Sequence, residues 1–117
     1  MPAPSQLSIS TSALNRLVKE EASYRKEYED QQARIAKIEA SDSNDENAEY
    51  TLKQERRALE ETKAMFPQLK AKIEEAKSKL EARLEQDKGP GDQSSPEDIT
   101  KAKEAIASAL GTMRATS

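Results

Sequence analysis

The sequence predicts an all-α fold, an elongated antiparallel three-helix bundle with a proline-kinked long second helix. Three observations predict it. Apolar residues recur at three- and four-residue spacings in three separate stripes. Capping or turn residues bound each stripe. The composition, 35% charged and 3% aromatic, suits narrow apolar seams better than the broad layers of a sheet protein. At 117 residues the chain is long enough for one domain.

Helix one is predicted to begin near Thr11 or Ser12, either of which can cap free backbone N–H groups, and to run to about Ala40. Its stripe is Leu14, Leu17, Tyr24, Tyr28, Ile35 and Ile38, with Glu21 and Gln31 as two polar steps in the same seam. "SDSNDEN" then reads as a turn. Helix two starts inside it, with Ser43 and Glu46 at capping-box spacing and Asn47 as a further cap. Its stripe is Leu52, Leu59, Thr62, Phe66, Leu69, Ile73, Ala76, Leu80 and Leu84, and Lys88, Gly89 and Pro90 mark its end. Helix three opens on "SPED", with Ser95 as N-cap, Pro96 at the first helical position and Asp98 three residues after the cap. Its stripe is Ile99, Ala102, Ile106, Leu110 and Met113, and Gly111 is expected to weaken the end, leaving "TMRATS" to fray. Residues 1–10 are thus expected to be a flexible N-terminus and 11–114 the bundle. Its helices fall at about 12–40, 44–88 and 96–113, with a Gly/Pro/Ser linker at 89–95.

Pro67 lies in the middle of helix two. A proline there removes a backbone hydrogen bond, at about 3 kcal/mol. The stripe keeps its period on both sides, so a kink within one helix is the reading. Folding helix two back about Asn44 brings Pro67 opposite roughly residue 21, and folding helix three back about Gly91 brings its end opposite roughly residue 69. Pro67 is therefore expected where the third helix runs out. Beyond it lies a two-helix hairpin whose seam is partly polar, with Gln31, Glu55 and Arg56.

The composition argues against several functions. Cysteine and histidine are absent, which removes disulfides, thiolate metal sites and the commonest general base. No phosphate-cradling glycine loop, HExxH or EF-hand pattern occurs, so no catalytic, cofactor-binding or metal residue is expected and the chain is not read as an enzyme. Glu21–Arg25, Glu49–Lys53 and Glu75–Lys79 have the spacing of ordinary surface pairs. Tyr24, Tyr28, Met65 and Phe66 read as core. The net charge of −3, with both signs intermixed, gives no nucleic-acid footprint. No apolar run reaches membrane-span or signal-peptide length, so a soluble intracellular protein is expected. Two functions fit: a small bundle that binds another protein, or a structural coiled-coil oligomerisation or adaptor segment.

Residues Leu7 to Glu85 resemble the tubulin-binding cofactor A (tubulin-specific chaperone A) family. The likeness rests on "RLVKEE" with Tyr24 in helix one, on "YEDQQARIAKIEA", on "YTLKQERRALEETKAMFP" with its mid-helix proline, and on "LEARLE". The resemblance implies a three-helix bundle that uses no nucleotide. It implies a cytoplasmic, cytoskeleton-associated cofactor that binds β-tubulin released from the cytosolic chaperonin and stabilises it before αβ-heterodimer assembly. Other tubulin-folding cofactors would be its further partners, and the chain would be a monomer or homodimer. The chain departs from the family pattern after Glu85, where a Gly/Pro/Ser linker precedes helix three. The client contact is therefore expected on helix one and the first half of helix two, with Arg16, Lys19, Arg25, Leu52, Arg56, Arg57 and Leu59 as candidate β-tubulin-binding residues. Leu52 and Leu59 are expected to stay partly accessible, because only two helices cover them.

Overall fold

A computed structural model describes residues 5–41, 46–86 and 94–116. The fold is all-α: α1 spans Gln6–Ala40, α2 Glu46–Gln86 and α3 Pro96–Thr116. α2 is one continuous helix with Pro67 inside it, so the carbonyl of Lys63 meets no N–H at position 67. The predicted cap at Ser43, the helix stop at Lys88–Gly89–Pro90 and most of the linker lie outside the described residues.

α1 begins five or six residues before the predicted start. Ser5 is its cap: the Ser5 Oγ accepts the Ser8 N–H at 3.0 Å and the Ser5 carbonyl accepts the Ile9 N–H at 3.0 Å. The segment expected to be a flexible end is helical from Gln6 onward, and Leu7 is 1% exposed. Thr11 is no cap. Its side chain is buried in the seam, and its hydroxyl donates to the Leu7 carbonyl at 2.8 Å. A hydroxyl can bond back to the preceding turn as readily as it can cap, and burial of Leu7 one turn earlier decides between the two.

The chain divides into two compact units. Unit one comprises Met1–Glu20 with Leu69–Ser117, and unit two is Glu21–Gln68. Unit one is a three-helix bundle around Leu7, Leu14, Ile73, Leu80, Ala102, Ala105 and Ala109. Leu17, Ala76, Leu84, Ile99, Ile106 and Met113 pack against that cluster. The hydroxyl of Ser5 donates to Asp98 Oδ2 at 3.1 Å, so α1 and α3 start side by side. Ser95 caps α3 as predicted, its Oγ accepting the Asp98 N–H at 3.1 Å.

The predicted stripe on α3 holds in part: Ala102 is buried and Ile99, Ile106 and Met113 pack on the core, but the centre of the face lies elsewhere than expected. Ala102, Ala105 and Ala109, each at most 2% exposed, form its centre line, and Leu110 is only half-buried. Small side chains at the centre let the helix approach closely, while Ile99, Ile106 and Met113 seal its margins. Gly111, expected to weaken the end of the helix, lies inside it. The helix continues to Thr116, and Met113 packs on the core.

Unit two is a helical hairpin. Tyr28 of α1 meets Phe66 of α2, whereas Arg34 and Glu39, further along α1, meet Glu55 and Arg56. Rising numbers on one helix against falling numbers on the other make the pair antiparallel. Among its described residues Ile35 is the single buried hydrophobic side chain, and the other buried positions are Glu21, Gln31 and Thr62. This unit is held by a polar seam.

Candidate functional site

The seam of unit two carries most of the residues singled out in the sequence. Glu21 and Arg25 have surface-pair spacing but do not form a surface pair. Glu21 is 5% exposed, and its Oε1 accepts from Arg25 Nη2 at 2.7 Å and Nε at 2.9 Å. The same guanidinium lies 4.9 Å from the centroid of the Phe66 ring. Tyr28 meets that ring edge to face, with centroids 5.7 Å apart. A carboxylate, a cation and two aromatic rings thus share one cluster, in which Glu21 is buried and the other three are half-buried. A delocalised guanidinium suits this place because it can bond a carboxylate in its plane and offer a face to a ring. Glu75–Lys79 is the ordinary exposed pair its spacing predicts, at 3.1 Å.

Further along the hairpin, Arg34 reaches Glu55 at 3.3 Å and Glu27 at 3.6 Å, and Arg56 pairs with Glu39 at 3.2 Å. Arg56 is exposed and lies outside the seam in which it was expected, while Glu55 is half-buried. Gln31 is 4% exposed, and its side-chain oxygen meets no donor among the described residues. Thr62 settles its own hydroxyl on the Ala58 carbonyl at 3.0 Å.

Of the seven candidate contact residues, Arg16 and Lys19 belong to unit one and the other five to unit two. Leu52 and Leu59 are partly exposed, as expected. With Arg56 they fall at positions i, i+4 and i+7 of α2, one line along the helix. Arg57 is turned away from that line and shares its side of α2 with Tyr50, which is 66% exposed. Arg16 and Lys19 are exposed on α1 within unit one. Arg16, Lys19 and Arg57 make no ion pair among the described residues. Arg25 is the exception in kind, since its charge is already committed to Glu21. Sequence reading passed over Arg34, which bridges two carboxylates, and Tyr50. An aromatic residue off the apolar stripe was the available signal for Tyr50.

The sequence profile of tubulin binding cofactor A matches residues 2–106. The chain belongs to that family. It is 41% identical over 107 residues to tubulin-specific chaperone A of Saccharomyces cerevisiae, covering 92% of each chain. It is 33% identical over 87 residues to tubulin-specific chaperone A of Homo sapiens, covering 74% of this chain and 77% of the relative. The solved structure of Rbl2p, a β-tubulin binding post-chaperonin cofactor, superposes with a TM-score of 0.77 at 37% identity. That match covers 94% of this chain and 99% of Rbl2p. Tubulin folding cofactor A of Arabidopsis thaliana superposes with a TM-score of 0.73 at 30% identity. The tubulin binding cofactor A match extends well into α3, beyond the Glu85 limit of the resemblance read from the sequence. Family names of chaperone and cofactor describe binding, not a catalysed reaction. No described helix is long and apolar enough to cross a membrane, and no described group of side chains could hold a metal ion.

Proposed function

We propose that this chain is a tubulin-folding cofactor that binds β-tubulin released from the cytosolic chaperonin and stabilises it before αβ-heterodimer assembly. The supporting observation is its likeness to Rbl2p along nearly the whole of both chains, at an identity well above that of fold likeness alone. Other tubulin-folding cofactors would receive the client, and the work belongs to the cytoplasm.

The physics is that of a selective binder. A monomer lacking its partner exposes surface that the heterodimer buries. A cofactor that covers this surface stabilises the folded client by about 2.7 kcal/mol when present at a hundred times its Kd. Unit two suits the task. It has little core of its own, and its seam edge leaves Leu52 and Leu59 partly open beside Arg56. Helices that stay ordered lose little entropy on docking. Arg16, Lys19 and Arg57, which make no ion pair among the described residues, steer encounter with an acidic client more than they add affinity.

Purified chain immobilised on resin should retain β-tubulin monomer and pass α-tubulin. Equal retention of the two, or retention of neither, overturns the reading.

A further inference from the structure

We propose that the groove between α1 and α2 in unit one is a docking site for an acidic amphipathic helix of a partner protein other than the tubulin client. This goes beyond the proposed function, whose apolar client contacts were argued on unit two and whose steering cations Arg16 and Lys19 do not line this groove.

The groove consists of two adjoining hollows of about 270 and 300 Å³ that share Ser10 and Lys79 as lining residues. Together they follow α2 from Lys72 to Gln86, a length of roughly 20 Å at 1.5 Å per residue. That length accommodates about four turns of a partner helix. The floor is apolar and low, formed by Ala13, Leu17 and Ala76. Small floor residues let a helix backbone come close, and the half-buried Leu17 offers an apolar contact.

Charge selects the occupant. Lys72, Lys79 and Arg83 line the α2 side, and Glu75 is the one acidic side chain lining either hollow. Lys72 and Arg83 make no ion pair among the described residues, and Lys79 is held only by the exposed Glu75. This is a basic strip on a chain whose net charge is −3. The other two grooves of the bundle differ. The one between α1 and α3 carries Lys101 against Asp98 and Glu104, and the one between α2 and α3 carries Lys103 against Glu81 and Glu85. Of these three grooves among the described residues, the one between α1 and α2 combines an apolar floor with an excess of cations, and its complement is a helix with an apolar stripe flanked by carboxylates.

The test uses two labelled sixteen-residue helical peptides with the same leucine spacing, one flanked by Glu and one by Lys. Fluorescence anisotropy against the full chain should show the Glu peptide binding at least about tenfold tighter. Neutralising the strip by Lys72→Gln, Lys79→Gln and Arg83→Gln together should weaken it at least about tenfold. Ala13→Trp, which fills the floor and leaves the charges alone, should abolish binding. All four positions are exposed, so the helical signal should be unchanged. Equal binding of the two peptides, or indifference to these variants, overturns the proposal. So does a dimer of the chain that Ala13→Trp dissociates, because the occupant is then a second copy. Retention of β-tubulin should survive Ala13→Trp. Its loss there would make the groove the client face, ending this inference while leaving the tubulin role intact.

Discussion

The guanidinium of Arg25 lies 4.9 Å from the centroid of the Phe66 ring while two of its nitrogens hold one oxygen of Glu21. Phe66 immediately precedes the proline of α2, so the cluster ties α1 to α2 beside the position where the α2 hydrogen-bond ladder is interrupted. Arg25→Ala leaves a buried carboxylate without its donor and should destabilise by roughly 1–3 kcal/mol. Urea denaturation followed by circular dichroism measures this. The double change with Glu21→Ala should cost clearly less than the two single changes added together, because the pair acts as a unit. An additive result would show that the ion pair is incidental.

Gln31 has the opposite standing. Its buried oxygen meets no donor of the described chain, so the polar group costs stability. Gln31→Met keeps the length of the side chain and removes that oxygen. We expect a gain of about 1 kcal/mol, read as a higher urea midpoint with an unchanged slope. A loss would mean that the amide serves the seam.

Helix α3 supplies a matched pair of tests. Ala105 is 2% exposed at the centre of the packed face, and Ala105→Leu should cost about 1–3 kcal/mol by overpacking. Gly111 is exposed, and a Cβ added there meets nothing within 4 Å. Gly111→Ala should therefore stabilise by about 0.5–1 kcal/mol, the difference in helix propensity. Thermal melting of both variants checks the assignment. A tolerated leucine at 105 would place the centre line elsewhere on α3.

Pro67→Ala returns an N–H to the Lys63 carbonyl, and propensity alone predicts a gain of about 3 kcal/mol. The sequence leads to the expectation of a bend at Pro67 that serves helix packing. On that view straightening disturbs neighbouring contacts, and the measured gain should fall below half the propensity value. A full gain with β-tubulin binding unchanged would leave the proline without a packing role.

Association with β-tubulin should depend on cations that make no ion pair among the described residues. Charge reversal at Arg16, Lys19 and Arg57 together should lower the association rate by about tenfold with little change in the melting temperature. Raising the salt should slow the unaltered chain in the same way. Stopped-flow mixing measures both. Reversal at Arg25 should instead lower stability, because it sets a second anion beside buried Glu21. An unchanged rate in the triple variant would move the docking face away from these residues.

The sequence by itself determined the number of helices, the seams of α1 and α2 and the cap of α3, because periodicity and capping are local properties of the chain. Counting back from the turns also anticipated the change from three helices to two. It set that change near residues 21 and 69, and the units divide between Glu20 and Glu21 and between Gln68 and Leu69. Tertiary structure decided what local rules leave open. Thr11 could cap a helix or lie within one, and burial of Leu7 chose the second. The centre of α3 passed to its alanines because close approach, invisible in a ranking by bulk, favours small side chains there. Glu21 and Arg25 carry the same spacing as the exposed Glu75 and Lys79. The aromatic ring that α2 brings across the hairpin separates the two pairs, since burial and charge pairing depend on neighbours far away in sequence.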